Sequence, residues 1–242
     1  MKNYKIIISF IALMALCSCL SKISIFYTPG YITSYYYLER SHVLLLGNVE
    51  NGELSINFVS YAEKGTSVFD YEKRKQKSDY YKLCCKFNDL YYSQRVEYSC
   101  DIGEFHNNVN VYADVVADIS IVSDDDWNSE YPRGVLLNDL FGIRAVTIYP
   151  YIQSRYEQEE VRTAINLPLS SIYETELCLF VPNKVIKFDR PMPYDTGFYA
   201  GGSRFMELYT DRLPENPIQS LHITLTTDEG KTLEYSVELD LR

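Results

Sequence analysis

Histidine is scarce in this chain: only His42, His106 and His222 occur, far apart in the sequence. No Cys-x-x-Cys pair accompanies them, so the ligand spacing of a zinc site is missing and neither a metal nor any other cofactor is expected. Beyond residue 16 no segment is long and apolar enough to cross a bilayer. Bases are outnumbered, with 23 Lys and Arg against 33 Asp and Glu and a formal charge of -10. Such a surface repels phosphate backbones, which excludes nucleic acid as a partner. There is no internal repeat and no low-complexity linker. Gly201-Gly202-Ser203 has no strand-turn-helix context around it and is not a nucleophile elbow. Acid pairs such as Asp125 and Glu130 are too common among 33 acids to single out a hydrolase. No catalytic residue is assigned, and the chain is not read as an enzyme.

The start of the chain is the most specific stretch. Lys2 and Lys5 precede an apolar run over residues 6–16 broken only by Ser9, the pattern of a signal-peptide core. Leu16-Cys17-Ser18-Cys19 follows, and it resembles the lipobox of bacterial lipoproteins. The resemblance implies cleavage between Ser18 and Cys19, a diacylglycerol on the Cys19 sulfur and acylation of the new amine. Three acyl chains hold a protein durably where one gives only reversible binding. Cys17 is the rival site, with bulky Leu16 where a small residue belongs. An ordinary secretory signal or an uncleaved anchor helix is the bland alternative. Residues 1–18 are thus expected to be a lipoprotein signal peptide, 19–38 a tether that joins the fold early, and 39–242 one domain with a sub-boundary near residue 104. Cleavage removes Lys2 and Lys5, so Lys and Arg fall from 23 to 21 and the charge moves from -10 to -12.

The body reads as short strands. Residues 42–47 and 53–62 flank Glu50-Asn51-Gly52, a strong hairpin signal. Residues 63–79 hold the basic run Lys73-Arg74-Lys75-Gln76-Lys77 and read as a solvated loop. Residues 80–100 suggest a strand pair around Asn88-Asp89. From Val109 to Ile121 every odd position is apolar, the mark of a half-buried strand. At roughly 3.3 Å per residue the run is too long for one ordinary strand, so two strands meet at a bend or one strand serves two sheets. Residues 145–152 read as a strand interrupted by Pro150, and residues 176–181 and 184–188 as a hairpin about Pro182-Asn183. Leu221, Ile223 and Leu225 face Leu233, Tyr235, Val237, Leu239 and Leu241 across the turn Asp228-Glu229-Gly230. The expected fold is all-β: an antiparallel β-sandwich of immunoglobulin-like type, with a closed barrel as the alternative.

Candidate sites are few. Asp124, Asp126, Asn128 and Glu130 alternate as oxygen ligands do in calcium loops. Ser129 and Val135 stand where a glycine and a closing glutamate are needed, so an acidic turn capping its own backbone is favoured. Trp127, the only tryptophan, suits a sugar-stacking platform or a lid on the core; with Asp124, Asp126 and Asn128 it forms the candidate ligand site. Cys84 and Cys85, as strand neighbours, point to opposite faces, so one of them can face Cys100 in a disulfide. Cys178 reads as a buried thiol.

The stretch from Val111 through Ser123-Asp124-Asp125-Asp126-Trp127, then Tyr131-Pro132-Arg133-Gly134 and Leu137-Asn138-Asp139-Leu140-Phe141, resembles small lipoproteins of unknown function from Bacteroidota. That resemblance covers about a quarter of the chain and implies an outer-membrane lipoprotein, anchored to the membrane through its lipid and facing the periplasm in preference to the cell surface. It transfers no catalytic role. Three functions remain in view: a non-catalytic envelope lipoprotein that binds or scaffolds other envelope proteins, a carbohydrate-binding accessory in glycan uptake, and a hydrolase.

Overall fold

The computed structural model describes residues 23–62, 65–92, 94–99, 104–105, 109–174, 177–182, 184–187 and 201–242. Strand predominates over helix among the described residues. Two antiparallel sheets face each other. The larger runs β11-β10-β13-β4-β3, built from Thr163–Pro168, Gly142–Thr147, Gly201–Thr210, Glu53–Ala62 and His42–Glu50, with β12 (Lys184–Lys187) also pairing to β13. The smaller runs β15-β14-β9, from Thr232–Asp240, Ile218–Thr227 and Val116–Ser123. In chain order β3, β4, β9, β10, β13, β14 and β15 take the places of strands A to G. The sheets then read A-B-E-D and G-F-C, which is the immunoglobulin constant-type arrangement, with β11 added outside D.

Alternation puts the core between the sheets. Leu54, Ile56 and Phe58 on β4, Ile143 and Ala145 on β10, and Phe205 and Leu208 on β13 meet Ile119 and Ile121 on β9 and Leu221, Ile223 and Leu225 on β14. Each aliphatic side chain buried this completely contributes about 1.5–3 kcal/mol. The β3–β4 hairpin turns at Asn51 and Gly52, both at positive φ (53° and 82°), the geometry a two-residue turn between twisted strands demands.

A cap sits on one end of the sandwich. It is made from residues 23–41 and from the long connection between β4 and β9, and it has its own apolar cluster around Ile32, Tyr35, Tyr80, Cys84, Phe87 and Val111. Its elements are β1 (Ile23–Thr28), β2 (Ser34–Tyr36), β5 (Gly65–Ser67), α1 (Val68–Arg74), α2 (Asp79–Lys86), β6 (Gln94–Ser99), β7 (Glu104–Phe105) and β8 (Asn110–Tyr112). These form the small sheets β1-β6-β7 and β5-β2-β8. The sandwich's α3 (Tyr149–Gln153) lends Tyr151 and Ile152 to the same cluster. The expected boundary near residue 104 falls inside the cap.

Several expectations need correction. Residues 63–79 are not all loop: Ser67 caps α1 by accepting from Phe69 N–H, and only the basic stretch at residues 72–77 is wholly exposed. Residues 80–86 are helical, not extended. Ser78 caps α2 through Tyr81 N–H, and Tyr80, Cys84 and Phe87 fall on one buried face at helical spacing. Cys84 and Cys85 are therefore helix neighbours with free thiols, which removes the strand geometry behind the Cys84–Cys100 disulfide; Cys100 lies outside the described residues. Pro150 opens α3 because a helix start tolerates its missing N–H. Leu177 and Phe180 make only isolated bridges, to Val116 and to Tyr112 and Thr147, and Asn183 lies outside the described residues. The alternating run from Val109 to Ile121 needs no correction: it takes the first of its two expected forms, two strands broken at residues 113–115, with β8 in the cap and β9 in the sandwich.

Candidate functional site

The acidic corner after β9 satisfies its own backbone. Asp126 Oδ1 accepts from Arg133 N–H (2.7 Å), and Asn128 Oδ1 accepts from Glu130 N–H and Tyr131 N–H. Asp124 turns the other way and pairs with His222 Nε2 at 2.7 Å; that hydrogen bond holds its carboxyl below the usual range. The four candidate ligand residues thus do not converge on one point. Among the described residues no group of three His, Cys, Asp or Glu side chains is placed to hold a metal ion. Trp127 is 0% exposed, with its ring edge-on to Phe141 and its Nε1–H donated to Arg212 O at 3.0 Å. A ring with no free face cannot stack on a sugar, so its assignment to a ligand site is corrected to a core anchor.

The segment that carries the lipoprotein resemblance has a mechanical task. Asn138 Oδ1 accepts from Ile121 N–H (3.0 Å), and its Nδ2 donates to Ile119 O (2.6 Å). Leu137 N–H also donates to Ile121 O. The amide side chain and its neighbour replace a strand along the outer edge of β9, covering backbone groups that would otherwise invite another chain.

A polar surface lies on the outer face of the large sheet. Strand pairing aligns Ser55 with Tyr209, Asn57 with Glu207, and Glu207 with Arg144. Arg144 makes a two-pronged ion pair with Glu53 at 2.5 and 2.7 Å and lies 3.7 Å over the Tyr209 ring. The Glu53 carboxyl is held below its usual range chiefly by that hydrogen bonding. Gly142 makes room for the Tyr209 ring, because a Cβ there would come within 2.5 Å of it. Asn48, Glu50, Asn51, Glu53, Ser55, Arg144 and Glu207 line a groove of about 430 Å³. Amides, a hydroxyl, carboxylates and one guanidinium offer donors and acceptors at many angles, the chemistry that recognises a hydroxyl-rich ligand. Sequence reading missed this groove because its residues come from the β3–β4 hairpin, β10 and β13, with Asn48 lying 159 positions from Glu207.

The cap holds a second constellation. Asp89 is 0% exposed, and its two oxygens each accept two hydrogen bonds: Oδ1 from Tyr31 N–H (2.7 Å) and Tyr156 Oη–H (2.6 Å), Oδ2 from Ile32 N–H (3.1 Å) and Tyr35 Oη–H (3.0 Å). Asn88 at φ 61° closes α2, and Asp89 N–H returns to Cys84 O, fixing the carboxylate at the helix end. Burial, then the Asp89 charge, pushes the Tyr35 hydroxyl well above its ordinary value; burial first, then the hydrogen bond to Asp89, does the same to Tyr156. Burial also raises the Cys84 thiol, leaving it a poor nucleophile. Each oxygen of this carboxylate is occupied by two donors, the arrangement of a structural clamp. Asp89→Asn would aim an N–H at groups that are themselves donors. A loss on the order of 3 kcal/mol in urea unfolding is predicted, whereas Asp125→Asn, at an exposed site, should leave the transition in place.

No protein-family model, curated protein or solved structure matches the chain.

Proposed function

We propose that the protein is a lipid-anchored lipoprotein of the bacterial outer membrane, held through Cys19 on the periplasmic face, whose body binds or scaffolds and does not catalyse. One observation carries the reading: a signal-like apolar run ends in Leu16-Cys17-Ser18-Cys19, and strand β1 of the described residues lies four residues on, at Ile23. A cleaved chain would start with its acylated residue almost against the folded cap, so the anchor would carry a body and not a loose tail. The immunoglobulin-like sandwich suits such a role, since it offers sheet faces and end loops as contact surfaces on a rigid frame. Growth of the native host with a clickable fatty-acid probe tests the anchor. Label should enter the wild-type and Cys17→Ser chains and be absent from Cys19→Ser, which should leave the membrane fraction; label retained in Cys19→Ser would refute the assignment.

The polar groove between Asn48 and Glu207 favours a second reading, a carbohydrate-binding accessory. No aromatic residue lines it, and the neighbouring Tyr209 ring is covered by Arg144, so recognition would rest on hydrogen bonds across the sheet. On this reading a glycan array gives binding that falls at least about tenfold in Ser55→Ala, the loss of about 1.4 kcal/mol, within reach of one or two hydrogen bonds. An array with no bound glycan would remove it.

A further inference from the structure

The cap differs from the sandwich in both charge and aromatic content. Residues 23–41 and 63–115 carry nine Lys and Arg against ten Asp and Glu, while residues 42–62 and 116–242 carry eleven against 23. Twelve of the 23 tyrosines fall in the cap ranges. Among the described residues the cap ranges balance at eight Lys and Arg against eight Asp and Glu while the sandwich carries ten against 20, so the cap is the end that an anionic surface repels least.

Strand β1 is two-faced. Phe26 packs edge-on to Phe69 of α1 at 4.6 Å, and the Thr28 hydroxyl meets that of Tyr80, so these two residues face the cap interior. Ile25 and Tyr27 alternate outward and are 49% and 62% exposed, Tyr27 being the most exposed large apolar side chain among the described residues. Arg95, also exposed, is the cross-strand partner of Tyr27 on β6. Where β6 is entered, Tyr91 is 58% exposed, with the Arg155 guanidinium 5.0 Å over its ring. Aliphatic, tyrosine and arginine side chains together suit a boundary where one side is apolar and the other carries phosphates and water.

Chain length supplies the occupant. Ile23 stands four residues beyond Cys19, and four residues of extended chain reach at most about 14 Å. We propose that the outer face of the β1–β6 ribbon, presenting Ile25, Tyr27 and Arg95, is a docking surface for the lipid headgroups of the membrane that holds the anchor. The proposal rests on the lipoprotein reading above. The sandwich then projects away from the bilayer: β14 runs from the cap junction, where Asp228 N–H meets Val115 O, to Ile218 at the far end, ten residues or about 34 Å on.

Two variants of the full acylated protein, Tyr27→Trp and Ile218→Trp, provide matched reporters, since both sites are exposed and native Trp127 is buried. Each is reconstituted into vesicles of phosphatidylethanolamine and phosphatidylglycerol containing a headgroup-region spin-labelled lipid. The Tyr27→Trp emission above the wild-type background should be mostly lost and the Ile218→Trp emission kept. Vesicle-bound, acylated protein with both reporters unquenched, or with Ile218→Trp quenched instead, would overturn the docking face and leave the anchor standing. A Tyr27→Trp reporter shielded from acrylamide without vesicles would assign the face to a second copy of the chain. Protein that carries no lipid would remove the lipoprotein reading and this proposal with it.

Discussion

The arrangement of this molecule turns on the Asp89 carboxylate. It gathers four donors from two separate pieces of chain: the Tyr31 and Ile32 amides and the Tyr35 hydroxyl of the N-terminal segment, and the Tyr156 hydroxyl beyond α3. No Lys or Arg among the described residues pairs with it, so its burial is offset by hydrogen bonds alone. Gly30 lets the backbone lie against it; a Cβ there would come within 2.4 Å of both the Asp89 carbonyl and its carboxylate. The clamp thereby joins the segment behind Cys19 to helix α2 and to the sandwich. On the proposed reading, a body held close to a lipid anchor would need such a joint, because a loose N-terminal segment would give up the fixed orientation on which the proposed docking face depends.

The sandwich manages its exposed edges by side-chain chemistry. The outer edge of β9 is covered by Leu137 and Asn138, and the groove-bearing sheet face is pinned by Arg144 between Glu53 and Tyr209. Backbone hydrogen bonds cross the junction with the cap, Tyr112 N–H to Phe180 O and Asp228 N–H to Val115 O. Lys86 adds exposed ion pairs to Asp228 and Glu229, which contribute little on their own. Rigidity at this junction therefore follows from backbone geometry and the packing of Tyr112 on Phe205, with ring centres 4.4 Å apart.

What could be read in the sequence was whatever short-range periodicity encodes. The Asn51-Gly52 hairpin, the terminal hairpin about Asp228-Glu229-Gly230 and the alternation from Val109 to Ile121 all rest on neighbouring residues, and each has its counterpart in the sheets. Helix α2 was misread because Leu83-Cys84-Cys85-Lys86-Phe87 alternates as well as any strand; its Ser78 cap and the spacing of Tyr80, Cys84 and Phe87 were the contrary signal. The candidate ligand cluster at Asp124, Trp127 and Asn128 failed for another reason. Spacing along a chain says nothing of direction: Trp127 turned into the core and the polar side chains turned onto nearby backbone. Neither the Asp89 clamp nor the polar groove was legible, since each is assembled from strands and turns that only the tertiary fold brings together.

Native-state hydrogen exchange at the Tyr31 and Ile32 amides measures the clamp most directly. If the carboxylate holds the N-terminal segment as described, both amides exchange only through global unfolding, with the same free energy as Ile223 at the centre of β14. Exchange of these two amides at rates typical of an open loop, while Ile223 stays protected, would contradict the account.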